Sequence, residues 1–130
     1  MDMPWVALDE PVADREYLAL LSYLPLKTFR GLPIFFRFAV TVIKQMRAAP
    51  GALGFSLRAK VIARNFWTLS AWKDEQALRD FVVKLPHIEA MKALNPYMGP
   101  TNFTQWKVTG AALPLRWEDA MRRSQQGAQE

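Results

Sequence analysis

His87 is the only histidine in the chain, and it follows Pro86 at a point where a helical pattern must kink or restart. A neutral imidazole there could move a proton or bind iron near neutral pH; the plainer reading is a capping or surface histidine. Arg58 is the second candidate. It shares one face of a strand with Ser56, while Thr68 and Ser70 share one face of the next strand. If the two pairs fall on the same side, Arg58 is the natural electrostatic anchor for an oxyanion or carboxylate; otherwise it is an exposed strand arginine. The hairpin loop between the strands decides, because a one-residue shift of register exchanges the faces.

Other reactive groups stand in no diagnostic spacing. Tyr17, Tyr23 and Tyr97 offer phenols and Asn102 an amide, but there is no Ser/His/Asp order, no histidine pair and no phosphate-binding Gly-x-x-x-x-Gly-Lys loop. Zinc hydrolysis and nucleotide binding therefore drop out. The chain has no cysteine, which excludes disulfides, thiolate metal sites and cysteine nucleophiles. With one histidine besides, a conventional multi-ligand transition-metal site has no donors, and no metal is expected.

The elements that must position these groups follow from periodicity. Residues 1–15 carry Pro4, Asp9, Glu10, Pro11 and Asp14 and read as an arm ahead of the fold. Tyr17 to Leu26 is an apolar run stopped by Pro25, a strand. Gly31-Leu32-Pro33 opens a helix that runs to about Ala49, apolar around most of its circumference, with Arg37, Thr41, Lys44 and Gln45 as a narrow polar stripe. Such a helix must touch its own sheet and either another chain or the C-terminal segment. Pro50-Gly51 turns into a second strand, a short turn near Ile62 to Asn65 leads into a third, and Asp74 caps a helix whose Leu78, Phe81, Val82 and Leu85 form one apolar stripe. Phe103 to Val108 alternates as a final strand, Leu115 to Arg123 reads as a short helix, and residues 124–130 read as a frayed tail.

The order strand–helix–strand–strand–helix–strand predicts an α+β, ferredoxin-like domain over residues 1–130. It would have a four-stranded antiparallel sheet, two helices on one face, and a short C-terminal helix. The uncovered sheet face would then be closed by stacking on a second copy, a homodimer. At 130 residues, 51% hydrophobic and 12% aromatic, the chain suits one domain with its own core. The formal charge of +5 is scattered, with no dense basic run, so no nucleic-acid partner is expected. Leu32 to Ile43 is too short and contains Arg37, so no membrane span is expected. The lack of cysteine and of a signal-peptide pattern fits a cytoplasmic protein.

The segment Pro50-Gly51-Ala52-Leu53-Gly54-Phe55, then Phe66-Trp67-Thr68-Leu69-Ser70-Ala71-Trp72-Lys73-Asp74-Glu75-Gln76-Ala77-Leu78, then Pro86-His87-Ile88, resembles the antibiotic biosynthesis monooxygenase-like group of dimeric α/β barrels. Its Phe66–Trp72 piece is also similar to proteins related to spheroidene monooxygenase. The match is strong over about a third of the chain and elsewhere rests on element order. The resemblance implies a dimeric barrel and a cavity between sheet and helices. It also implies a monooxygenase, an oxidoreductase acting on a small hydrophobic aromatic or polyene-like substrate without a bound cofactor. His87 and Arg58 are then the catalytic candidates. Tyr23, Phe35, Phe38, Phe66, Ser70, Trp72, Met91 and Phe103 are the expected substrate-binding residues, with Trp72 equally natural as a core residue at the strand–helix junction. Members of the group also bind heme, which makes His87 an axial ligand in the alternative. A non-catalytic dimer that binds a hydrophobic ligand is the third possibility.

Overall fold

Period-2 patterning wins wherever β-branched and aromatic residues alternate. The computed structural model describes residues 1–129, the side chains of 85, 86 and 126–129 excepted. Its strands are β1 (Val6–Ala7), β2 (Glu16–Pro25), β3 (Ala52–Lys60), β4 (Asn65–Trp72) and β5 (Asn102–Thr109). Its α-helices are α1 (Gly31–Ala48), α2 (Glu75–Val82), α3 (Leu85–Leu94) and α4 (Trp117–Gln129). The strands form one antiparallel sheet in the order β1-β3-β4-β2-β5, so β2 to β5 carry the ferredoxin-like connection.

The sheet has five strands where four were expected. Residues 1–15, read as an arm ahead of the fold, contribute the added strand: Val6 pairs with Phe55, Ala7 with Gly54, and Asp2 bridges to Arg58. Gly54 makes room for this strand, since a Cβ there would collide with the indole of Trp5. At the other end, α4 continues to Gln129 where a frayed tail was expected over 124–130; residue 130 lies outside the described residues.

Turn chemistry sets the connections. Gly51 sits at φ 83° between α1 and β3, in the left-handed region, and a Cβ on it would stand 2.6 Å from that of Ala77. Asp74 caps α2, its carboxylate accepting from the Ala77 N–H at 2.8 Å. The chain restarts at Leu85 with a proline in the first turn of α3, as the Pro86 pattern required. Four residues, 61–64, connect β3 to β4, with Arg64 in the left-handed region at φ 59°.

Two cores result, one on each face of the sheet. Trp72, Leu78, Phe81 and Ala52 pack beneath the helices. Tyr17, Ala19, Leu21, Trp67, Leu69 and Ala71 pack on the opposite face against Leu115 and Ala120, flanked by Trp5, Trp106, Trp117 and Met121. The second face, expected to need another copy of the chain, is therefore covered by the chain's own C-terminal helix. The largest fully buried side chains, Trp72, Phe55, Leu21 and Leu69, come from both faces. Each contributes about 1.5–3 kcal/mol through burial.

Candidate functional site

The helices stand off the sheet and leave an apolar recess of about 590 Å³. Its floor is one face of the sheet: Leu20, Ser22 and Leu24 of β2, Phe66, Thr68, Ser70 and Trp72 of β4, and Phe55 and Leu57 of β3. Phe35, Phe38 and Val42 of α1 form one wall, and His87, Ala90, Met91 and Leu94 of α3 the other. Gly31 is the only buried residue of α1, so the recess occupies space that side chains would fill in a tightly packed helix–sheet layer. Phe35 lies on Phe66 with ring centres 4.3 Å apart, closing one end.

His87 combines its two readings. Its Nδ1 lies 3.2 Å from the carbonyl oxygen of Val82, the last residue of α2. A carbonyl can only accept, so Nδ1 carries the hydrogen, and in the neutral ring Nε2 holds the lone pair. The histidine thus satisfies a carbonyl at a helix end and still presents a basic nitrogen. Burial lowers its pKa below the ordinary value of 6.5, partly opposed by the Val82 hydrogen bond. The Phe81 ring, 5.2 Å from the imidazole, supplies part of that apolar surrounding.

Arg58 faces the other way. It pairs with Trp67, whereas Leu57 pairs with Thr68 and Phe55 with Ser70, so Arg58 lies on the opposite face from Thr68 and Ser70. It borders the recess, but its guanidinium donates to both carboxylate oxygens of Asp2 and lies 4.7 Å from the centre of the Trp117 ring. The anchoring role considered for Arg58 required a shared face, and the register removes it. Tyr23 is displaced for the same reason. It pairs with Trp67, packs with the α4-side core and donates its hydroxyl to Asn65 at 2.9 Å.

The remaining expected residues, Phe35, Phe38, Phe66, Ser70, Trp72, Met91 and Phe103, all line the recess with His87. Trp72 is at once core and lining: it is 1% exposed and its indole N–H donates to Ser70 Oγ at 2.9 Å. Ser22 and Thr68 were missed as lining residues. They are direct cross-strand partners at the centre of the floor. Alternation would have found Ser22, which shares parity with Leu18, Leu20 and Leu24.

Solved structures share this frame. An antibiotic biosynthesis monooxygenase aligns with a TM-score of 0.62 at 14% identity, covering 68% of this chain and 95% of its own. The fold is that of the antibiotic biosynthesis monooxygenases. SnoaB, a cofactor-independent oxygenase from Streptomyces nogalater, aligns with a TM-score of 0.59 at 12% identity, covering 71% of this chain and 92% of its own. A conserved protein from Methanosarcina mazei Go1 aligns with a TM-score of 0.62 at 13% identity, over 69% and 90%. No family model and no curated protein matches the sequence. At these identities the likeness concerns the monooxygenase fold, and activity has to be argued from the site.

Heme was the alternative occupant. His87 offers one free ring nitrogen, but among the described residues the only guanidinium bordering the recess is committed to Asp2, and no lysine lines it to meet the propionates. The residues fit that group poorly. Among the described residues there is no cluster of three or more His, Asp or Glu side chains for a metal ion, and no helix long and apolar enough to cross a membrane.

Proposed function

We propose that the protein is a monooxygenase that takes a small hydrophobic aromatic or polyene-like molecule into the recess and oxygenates it without a tightly bound cofactor. One observation carries this reading: a single imidazole, tied through Nδ1 to Val82, borders a mostly apolar recess with Nε2 available as a base.

A substrate C–H acidified by neighbouring unsaturation gives its proton to Nε2. The resulting carbanion reduces dioxygen and bonds to it, and His87 returns the proton to the peroxide. Loss of the second C–H proton to the imidazole then expels hydroxide, which takes that proton and leaves as water. The balance is CH2 + O2 → C=O + H2O, with all electrons supplied by the substrate. The apolar walls exclude bulk water from the carbanion and hold the ring system in place.

Oxygen uptake with anthrone as probe tests the reading. Anthrone-dependent uptake is expected, reduced about 10²–10⁴-fold in His87→Ala. Binding without uptake would leave a hydrophobic-ligand carrier. A Soret shift on adding hemin that His87→Ala abolishes would replace the cofactor-free reading with a heme protein.

A further inference from the structure

Three hydroxyl groups interrupt the apolar floor. Ser22 and Thr68 stand opposite each other on β2 and β4, and Ser70 follows two residues along β4 on the same face. Ser70 is the most constrained, at 3% exposed. Its oxygen accepts the indole N–H of Trp72 at 2.9 Å. An indole N–H can only donate, so this contact uses a lone pair of Oγ and leaves the hydroxyl hydrogen for another acceptor. No hydrogen bond from Ser70 Oγ reaches another described residue. Accepting from Trp72 also strengthens Oγ as a donor, because bonds in a chain polarise one another. A buried, polarised donor beside apolar space is a group built to meet an oxygen atom.

Charge narrows the class of oxygen. Among the described residues, the single arginine bordering the recess has its guanidinium paired with Asp2 and placed 4.7 Å from the Trp117 ring centre, and no lysine side chain lines the walls. The Met1 ammonium, on another lining residue, donates to the Ala59 carbonyl, so a carboxylate or phosphate would lose its hydration there and meet only cations that already have partners. A carbonyl or hydroxyl oxygen loses less and gains the Ser70 donor, with Thr68 and Ser22 adjacent.

We infer that Ser70, oriented by Trp72 and flanked by Thr68 and Ser22, recognises one neutral oxygen substituent on the ligand. The recess would accordingly select uncharged hydrophobic molecules that carry a carbonyl or hydroxyl group. This rests on the proposed reading of the recess as a binding site. Ser70 is then a specificity-determining residue and Trp72 a positioning residue that acts through it.

The test compares 1-naphthol with 1-methylnaphthalene, nearly equal in shape, by isothermal titration calorimetry. The wild-type protein should bind 1-naphthol about tenfold more tightly, the size of one net hydrogen bond. Ser70→Ala should abolish that preference and leave the affinity for 1-methylnaphthalene unchanged. Trp72→Phe, which keeps a ring but loses the N–H, should reduce the preference partway. Equal binding of the two ligands by the wild-type protein, or a preference that survives Ser70→Ala, would overturn the inference and leave the recess as a binding site. Binding of neither ligand would overturn the recess reading itself, and this inference with it.

Discussion

Arg58 grips Asp2 through two parallel hydrogen bonds, Nε to Oδ1 at 2.7 Å and Nη2 to Oδ2 at 2.9 Å. The pair joins the first residues of the chain to β3, and the Trp117 ring beside the guanidinium adds α4 to the same joint. Beside it, Ser56 Oγ donates to the Met3 carbonyl and accepts from Trp117 Nε1. The arginine nearest the recess is therefore a fastening between segments.

Arg58→Ala should leave anthrone turnover within about twofold of wild type and lower stability by roughly 1 kcal/mol, the scale of a part-exposed ion pair with a cation–π contact. The Arg58 hydrogen bond holds the Asp2 carboxyl below its ordinary value. The folded protein thus takes up this proton later than the unfolded chain. The contribution is fully present above about pH 4 and is lost as pH falls through the depressed pKa. Asp2 is largely solvent-accessible, so the effect is small. Melting curves of both proteins between pH 6 and 2 should converge in acid.

Burial of His87 works in the same sense at higher pH. Its folded pKa lies below 6.5, so the unfolded chain binds this proton first and stability declines as pH drops below about 6.5, levelling off once the folded imidazole is also charged. The acid limb of the oxygenation profile should then fall below pH 6.5, because the basic form persists. An acid limb at or above 6.5, or one unchanged in His87→Gln, would count against Nε2 as the base.

Ala120 is fully buried where α4 meets the sheet. Ala120→Asp places a carboxylate among Leu21, Leu69 and Trp67 without a partner, and α4 should detach rather than bury it. Dye binding and self-association of the exposed face should follow, read by sedimentation equilibrium. A sheet-to-sheet dimer forms only after α4 leaves, so a wild-type dimer unaffected by this substitution would place the contact between copies elsewhere.

Gly51→Ala should destabilise by about 1–2 kcal/mol from the left-handed backbone alone, before the clash with Ala77 is counted. The measurement is the urea midpoint. The deficit should be smaller when Gly51→Ala is measured against an Ala77→Gly background, which carries the helix cost of that glycine in both proteins and lacks the Ala77 methyl.

The order of β2 to β5 with α1 and α2 could be read directly because each rests on local chemistry: Asp74 at the start of α2, Pro86 at the break before α3, an apolar run stopped by Pro25 in β2, and alternation in β3 to β5. The recess residues Phe35, Phe38, Phe66, Ser70, Trp72, Met91 and Phe103 came from the resemblance and from the aromatic and methionine content of the elements that wall it. Arg58 and Tyr23 did not, because their faces depend on a four-residue turn closed by Arg64 and on strand register, which no side-chain pattern states. The covering of the second sheet face was equally invisible. Trp5 lies more than a hundred residues from Trp117 and Ala120, and only their common destination on the sheet reveals what they do.

Gly31 as the sole buried residue of an eighteen-residue helix has a thermal consequence. The floor strands are locked by ladders on both sides, whereas α1 is held mainly by its phenylalanines and by α3. Phe36 and Val40 are 46% and 57% exposed, and Phe36 borders the recess with the ring it turns toward Phe66. Backbone amides of α1 should exchange with deuterium well before those of β2 and β4, and slow when the recess is filled. One wall of the recess is compliant and its floor is rigid, so ligands of differing width can be accommodated above polar groups that stay fixed.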